Sequence, residues 1–334
     1  MTIGPIIKGT AGAAANGQAE HPLFAEYRNQ RAANTLIRQQ SDLQRFAEYL
    51  ATMNIATTAD ALATDPEAWR GMTWKLLAGF VEWQLRTGFA VASCNVRLST
   101  VRTYATLAFQ AGVIDAAEYR SIKAVNGYGD KEQRRIDEAR DVKRVSTKKA
   151  AAVSLTDEQM KALLSSHPDT PQGRRNRLMM CLLLNLGLRV GEVVSLRASD
   201  FNLDSGTVTL YRPQVGKTQR CNLISSLWDA ARAYIAQDVT DPQAPLLRAS
   251  MRGGSLSASN MGLTRFGVAK RVQKLGRMVG VENLSPHDLR HSWALRTARN
   301  KADLIALRDA GGWTSVATPV RYVEAANVEI KPGV

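Results

Sequence analysis

The chain is 334 residues long, 45% hydrophobic and 22% charged, the balance of a globular protein with room for two ordinary domains. Its formal net charge of +14 points to a polyanion partner, because Lys and Arg release counterions from a phosphate backbone. No apolar run is long enough to span a bilayer, and Cys94, Cys181 and Cys221 form neither a metal spacing nor a disulfide framework, so a membrane is excluded and a reducing cytoplasm fits.

Residues 1–20 lack the basic start and continuous apolar core of a signal peptide and read as a flexible arm. Residues 21–122 read as a helical domain. Leu36, Leu43, Phe46, Ala47 and Leu50 recur at helical spacing and give one apolar stripe. Arg31, Arg38 and Arg45 recur on another face, either as a solvated row or as phosphate contacts. A second helix is expected over 74–85 with Gly88 as its stop, and a third over 98–111 with Arg97 and Arg102 at its start. Arg38, Arg45, Arg97 and Arg102 are the candidate DNA-binding residues of this domain.

Residues 123–152 change character. From Lys131 to Lys149 there are eight basic and four acidic residues and only four apolar ones, which reads as a basic linker. The second domain, 153–334, opens on Thr156 with Gln159 three residues later, a capping-box pattern. An apolar helix is expected over 178–188, ending near Gly187. The period then switches to two. A strand over 207–211, a turn over 213–218 and a strand over 221–224 make a hairpin. The chain from Trp228 onward reads as mostly helical, and Ser285-Pro286 has the form of an N-cap followed by a first helical residue. The fold class is therefore mainly α: a helical domain followed by an α+β domain with a small antiparallel sheet.

Five short features follow in order: Arg189 with Glu192 three residues on, Lys217 in the hairpin turn, His287 with Arg290, Trp313 after two glycines, and Tyr322 nine residues past the tryptophan. Each alone has an ordinary structural reading. An Arg and a Glu three apart are usually an ion pair, a turn lysine is usually solvated, and the tryptophan and tyrosine could be core. His291, directly after Arg290, reads as a packing or hydrogen-bonding histidine. The joint occurrence of all five, behind a basic helical domain, is much harder to obtain by chance.

Together these residues resemble the catalytic set of the tyrosine recombinase (phage integrase) family over residues 180–325, and the helical segment before them resembles that family's core-binding domain. The resemblance implies a catalytic set of Arg189, Lys217, His287, Arg290, Trp313 and Tyr322. Most members carry His at the fifth position. Trp313 there is similar to the Cre-type branch, and an indole N–H is still a donor. The resemblance further implies site-specific cleavage and rejoining of duplex DNA through a 3′-phosphotyrosine, by a homo-tetramer assembled on two sites.

The chemistry needs these residue types. Attack on a phosphodiester builds charge on the non-bridging oxygens, which two guanidiniums, Arg189 and Arg290, can clamp. Tyr322 is a weak nucleophile near neutral pH and needs a base, for which His287 is the candidate. The departing 5′ oxygen needs an acid, for which Lys217 is the candidate. Glu192 is expected to anchor Arg189. There is no nucleotide-binding glycine loop and no carboxylate cluster for a metal, so no cofactor and no metal are expected. A type IB topoisomerase, or a catalytically silent DNA-binding protein on the same fold, are the alternatives.

Overall fold

The computed structural model describes residues 22–129, 131–132, 135–136, 152–257, 261–300 and 303–327. The arm over 1–20 and most of the expected linker lie outside the described residues. The described residues fall into two compact units, with the division between Lys148 and Lys149.

The first unit is helical. Its helices are α1 (Leu23–Asn29), α2 (Ala33–Ala51), α3 (Ala59–Thr64), α4 (Trp74–Arg86), α5 (Val91–Gln110) and α6 (Ala116–Ala124). The α2 stripe buries Leu43, Phe46, Ala47 and Leu50, as helical periodicity requires. Phe46 lies at the centre, with ring centroids 5.0 Å from Phe80 and 5.9 Å from Trp69. Phe46→Ala removes a fully buried ring from this cluster. We expect it to destabilise the fold by about 3–5 kcal/mol, read as a shifted midpoint in denaturant unfolding.

Two boundaries differ from the sequence expectation. Helix α5 begins at Val91, so Arg97 lies inside the helix and not at its start. The packed unit also continues past residue 122. Val125 and Tyr128 pack on its core, and the Asn95 side chain brackets Tyr128, accepting from its N–H at 3.0 Å and donating to its carbonyl at 2.8 Å.

The second unit is built around one apolar helix. Its elements are α7 (Asp157–Ser165), α8 (Pro171–Asn185), α9 (Val190–Ser195), β1 (Phe201–Asn202), β2 (Thr207–Arg212), β3 (Lys217–Asn222), α10 (Ser225–Asp238), α11 (Arg265–Met278), α12 (Pro286–Arg299), α13 (Leu304–Gly311) and α14 (Ala317–Asn327). Helix α8 starts seven residues before the expected 178, where Thr170 caps its first turn and Pro171 supplies a pre-set φ. From Leu178 to Leu184 every side chain is buried, which fits a central helix covered on all sides. The expected capping box of α7 is present, with Thr156 and Gln159 bonded to each other's backbone.

The strands form one antiparallel sheet in the order β1-β2-β3. Lys217 opens β3 opposite Arg212, so it stands at the edge of the turn and not within it. The turn is only 213–216, closed by Gly216 at φ +62°. Strand β3 was hard to see in sequence because its residues are polar and alternate only between exposed and half-buried.

Candidate active site

The site begins where α8 ends. The chain turns at Gly187, and Arg189 becomes the extended residue that caps α9. Glu192, three residues on, folds back to accept from the Arg189 N–H at 2.8 Å and from its Nη1 at 3.1 Å. The Arg189–Glu192 spacing is thus both a helix cap and an ion pair. Glu192 is 3% exposed.

Arg290 comes from the second turn of α12, whose start Ser285 and Asp288 fix through a capping box. Its Nη1 donates to the Gly187 carbonyl and its Nη2 to the Gly311 carbonyl, each at 2.6 Å. Arg189 reaches the same turn, donating to Gly311 at 3.0 Å and to Gly312 at 2.8 Å. A third guanidinium, Arg212 at the end of β2, donates to Ala310 at 2.6 Å and to Glu192 at 3.0 Å. Three cations therefore gather on the last carbonyls of α13, the negative end of that helix. Gly312 makes the approach possible. Its φ is +58°, and a Cβ there would lie 2.4 Å from Arg212 Cδ and 3.2 Å from Arg189 Nη1.

Glu192 is the carboxylate among these three cations, so the cluster keeps an excess of positive charge that favours an anion. Burial first, and then the charges of Arg189 and Arg212, push the Arg290 guanidinium down to about 10. It remains cationic at neutral pH.

Aromatic rings continue the site. The Trp313 ring lies 4.6 Å from the Arg290 guanidinium carbon and 5.7 Å from the Tyr322 ring. Tyr322 is half-buried. Burial pushes its phenol above the usual range, with the Arg290 charge opposing. The ring on its other side is His291, with centroids 5.2 Å apart. Burial, and then the nearby His287, hold His291 below the ordinary histidine range. His287 itself is exposed on the first turn of α12.

The structure thus brings together Arg189, Glu192, Arg290, Trp313 and Tyr322. Lys217 stands across a cleft of about 600 Å³ from Trp313, Thr314 and Asp309, with Arg212 and Gln219 in the same wall. His287, the residue expected to take the Tyr322 proton, stands exposed on the same helix, near enough to His291 for its charge to be felt there. Arg212 and the His291–Tyr322 contact escaped the sequence reading. Position 212 fits an alternating strand, and its partner Ala310 is 98 residues away.

In the first unit, Arg45 and Arg97 both lie over the Phe89 ring, at 5.6 and 4.2 Å. Arg38 bonds Asp42 at 2.9 Å, and Asp42 in turn accepts from Thr100 at 2.7 Å. Arg102 turns elsewhere and donates to the Lys123 carbonyl at the end of α6.

Comparison with known proteins decides the family. The family model described as "Phage integrase family" matches residues 154–329, more than half of the chain. The chain belongs to the phage integrase family. Tyrosine recombinase XerD of Listeria monocytogenes is 31% identical over 178 residues, covering 52% of this chain and 58% of that protein. Tyrosine recombinase XerA of Thermococcus kodakarensis is 30% identical over 189 residues, covering 56% and 64%. The chain thus spans about three fifths of the length of these two relatives. XerD of Listeria innocua is 24% identical over 303 residues, covering 90% and 91%.

Among solved structures, the λ integrase dimer bound to a COC′ core site superposes with a TM-score of 0.61 at 15% identity, covering 98% of this chain and 84% of that one. The XerH site-specific recombinase bound to a palindromic difH substrate gives 0.55 at 19% identity, covering 77% and 70%. These likenesses show that this phage integrase family member has the fold of the two proteins. No described helix is long and apolar enough to cross a membrane.

Proposed function

We propose that this chain is a site-specific tyrosine recombinase, which cleaves and rejoins duplex DNA with Tyr322 as nucleophile and works as a homo-tetramer on two sites in the cytoplasm. One observation carries the reading. Arg189 and Arg290 converge on the single carbonyl of Gly311, and Trp313, packed beneath Arg290, holds the Tyr322 ring. A phosphate seated at that positive cluster lies within reach of the tyrosine.

In the proposed step the Tyr322 hydroxyl oxygen bonds to phosphorus and the P–O5′ bond breaks. The phenol proton passes to a base and O5′ takes a proton from an acid, leaving a 3′-phosphotyrosine and a 5′ hydroxyl. Arg189 and Arg290 stabilise the charge that builds on the non-bridging oxygens. Glu192 holds Arg189. Lys217, across the cleft, supplies the proton to O5′. His287, exposed at the start of α12 where an incoming phosphate would meet the helix dipole, is the proposed base. His291 keeps the Tyr322 ring in place. Trp313 fills the Cre-like fifth position, its indole N–H donating to the phosphate. In the first unit, Arg38, Arg45 and Arg97 are proposed phosphate contacts. Arg102, with one nitrogen on the Lys123 carbonyl, is proposed to join them through its remaining N–H groups.

The bond energy kept in the phosphotyrosine makes rejoining possible without an external energy source. The test is a two-site assay on a plasmid carrying a pair of the protein's own binding sites, run beside relaxation of a supercoiled plasmid that lacks them. Recombinant products only with paired sites are expected. Relaxation of any supercoiled plasmid without recombination would overturn the reading.

A further inference from the structure

We propose that Arg212 is a positioning residue of the cleavage step, fixing the Lys217 strand against the phosphate clamp. The proposal rests on reading Lys217 as the acid.

The first observation is where the charge sits. Along β2 the core-facing side chains are Val208, Leu210 and then Arg212, which is 2% exposed. A buried guanidinium loses its hydration, and a hydrophobic side chain of similar volume commonly stabilises a core as well or better. Stability alone therefore gives a poor reason for an arginine at this position.

The second observation is what it holds. Its Nη1 donates to one oxygen of Glu192 at 3.0 Å, while the other oxygen accepts from Arg189 at 3.1 Å. Its Nη2 donates to Ala310 at 2.6 Å, in the turn that leads to Trp313. Its Nε donates to Gln219 at 2.6 Å, on β3 two residues beyond Lys217. Its backbone pairs with Lys217 itself across the four-residue turn. One planar fork thus ties the acid-bearing strand to the clamp arginine and to the tryptophan turn. Apart from Cys221, which packs on the core, β3 is an outer strand of polar side chains, none fully buried. A misplacement of about 1 Å at a reacting group can cost on the order of 100-fold in rate.

The chemistry provides a selective test. When P–O5′ breaks, the departing oxygen must take a proton, because an alcohol is about as weak an acid as water. If sulfur replaces that bridging oxygen, a thiolate leaves unaided, since a thiol ionises near about 8.5. A defect that acts through the acid then disappears. A defect in the clamp, in folding or in DNA binding persists.

The experiment uses the full chain and nicked duplexes of its own site, with oxygen or sulfur at the bridging 5′ position. Lys217→Ala is the control, expected to lose at least about 100-fold with oxygen and to recover to within a few-fold of wild type with sulfur. Arg212→Lys keeps a charge for Glu192 but cannot span three acceptors. It should lose on the order of 10- to 100-fold with oxygen and recover with sulfur. Gln219→Met, on the half-exposed strand, breaks only the link to β3 and should show a smaller loss of the same oxygen-specific kind. Equal loss on both substrates for Arg212→Lys, or no oxygen-specific loss for Gln219→Met, overturns the proposal. A Lys217→Ala defect that sulfur does not relieve overturns the reading of Lys217 itself, and is told apart by that control.

Discussion

Tyr322→Phe is expected to bind its DNA site like the wild type and to form no covalent adduct. The substitution keeps the ring, so the contacts with Trp313 at 5.7 Å and His291 at 5.2 Å survive and the fold is undisturbed. It removes the atom proposed to attack phosphorus. The phenol sits in a half-buried place that raises its pKa, so it is protonated at rest and must give up its proton as it attacks. Arg290 opposes that rise, which marks the direction in which a charged phenolate would be stabilised. The measurement is a duplex nicked close to the cleavage point, so that the freed 5′ fragment diffuses away and the intermediate is trapped. Wild-type protein should give an adduct that survives a denaturing gel. Persistence of that adduct in Tyr322→Phe would falsify the assignment and direct attention to Tyr211, which is exposed on β2.

Much of this site was legible in the sequence because its spacing is a local matter. Arg189 and Glu192 make a cap and an ion pair within one turn, and Ser285-Pro286 sets the start of the helix that carries His287 and Arg290. Both are short-range geometry, which a linear pattern records. The apolar stripe of α2 was legible for the same reason. The remaining features depend on contacts between distant residues. Nothing near Arg212 announces that its side chain ends on Ala310 and Glu192, because an alternating strand has the same pattern whether its inward residue packs or bonds. Lys217 looked like a turn residue because glycine precedes it and polar residues follow, yet backbone pairing with Arg212 makes it the first residue of a strand. His287 and His291 differ by one helical turn. Only the packing of α14 on α12 determines that His291 meets Tyr322. Among the basic residues of the first unit, charge alone could not separate Arg102, bound to a backbone carbonyl, from Arg45 and Arg97 on Phe89.

Arg189→Lys is expected to reduce cleavage by about 100- to 1,000-fold while leaving DNA affinity nearly unchanged. The charge is retained, so any loss measures geometry. Arg189 Nη1 serves Glu192 and Gly311 together, and Nη2 serves Gly312. A planar fork can do this while aiming its remaining N–H groups at a phosphate. An ammonium is a point donor on a flexible stem. It can replace one of these bonds but cannot hold the turn and the phosphate in one plane. The consequences spread, because Glu192 also holds Arg212 and the Gly311 carbonyl also holds Arg290. A lysine at 189 therefore loosens the second guanidinium of the clamp as well as the first. DNA affinity should hardly fall, since the charge is kept and this +14 chain has many other cations available for phosphate contacts. Single-turnover cleavage of the nicked duplex, measured beside equilibrium binding of the same duplex, separates the two effects. Cleavage at the wild-type rate would remove Arg189 from the clamp, and equal losses of cleavage and affinity would make it a binding residue only.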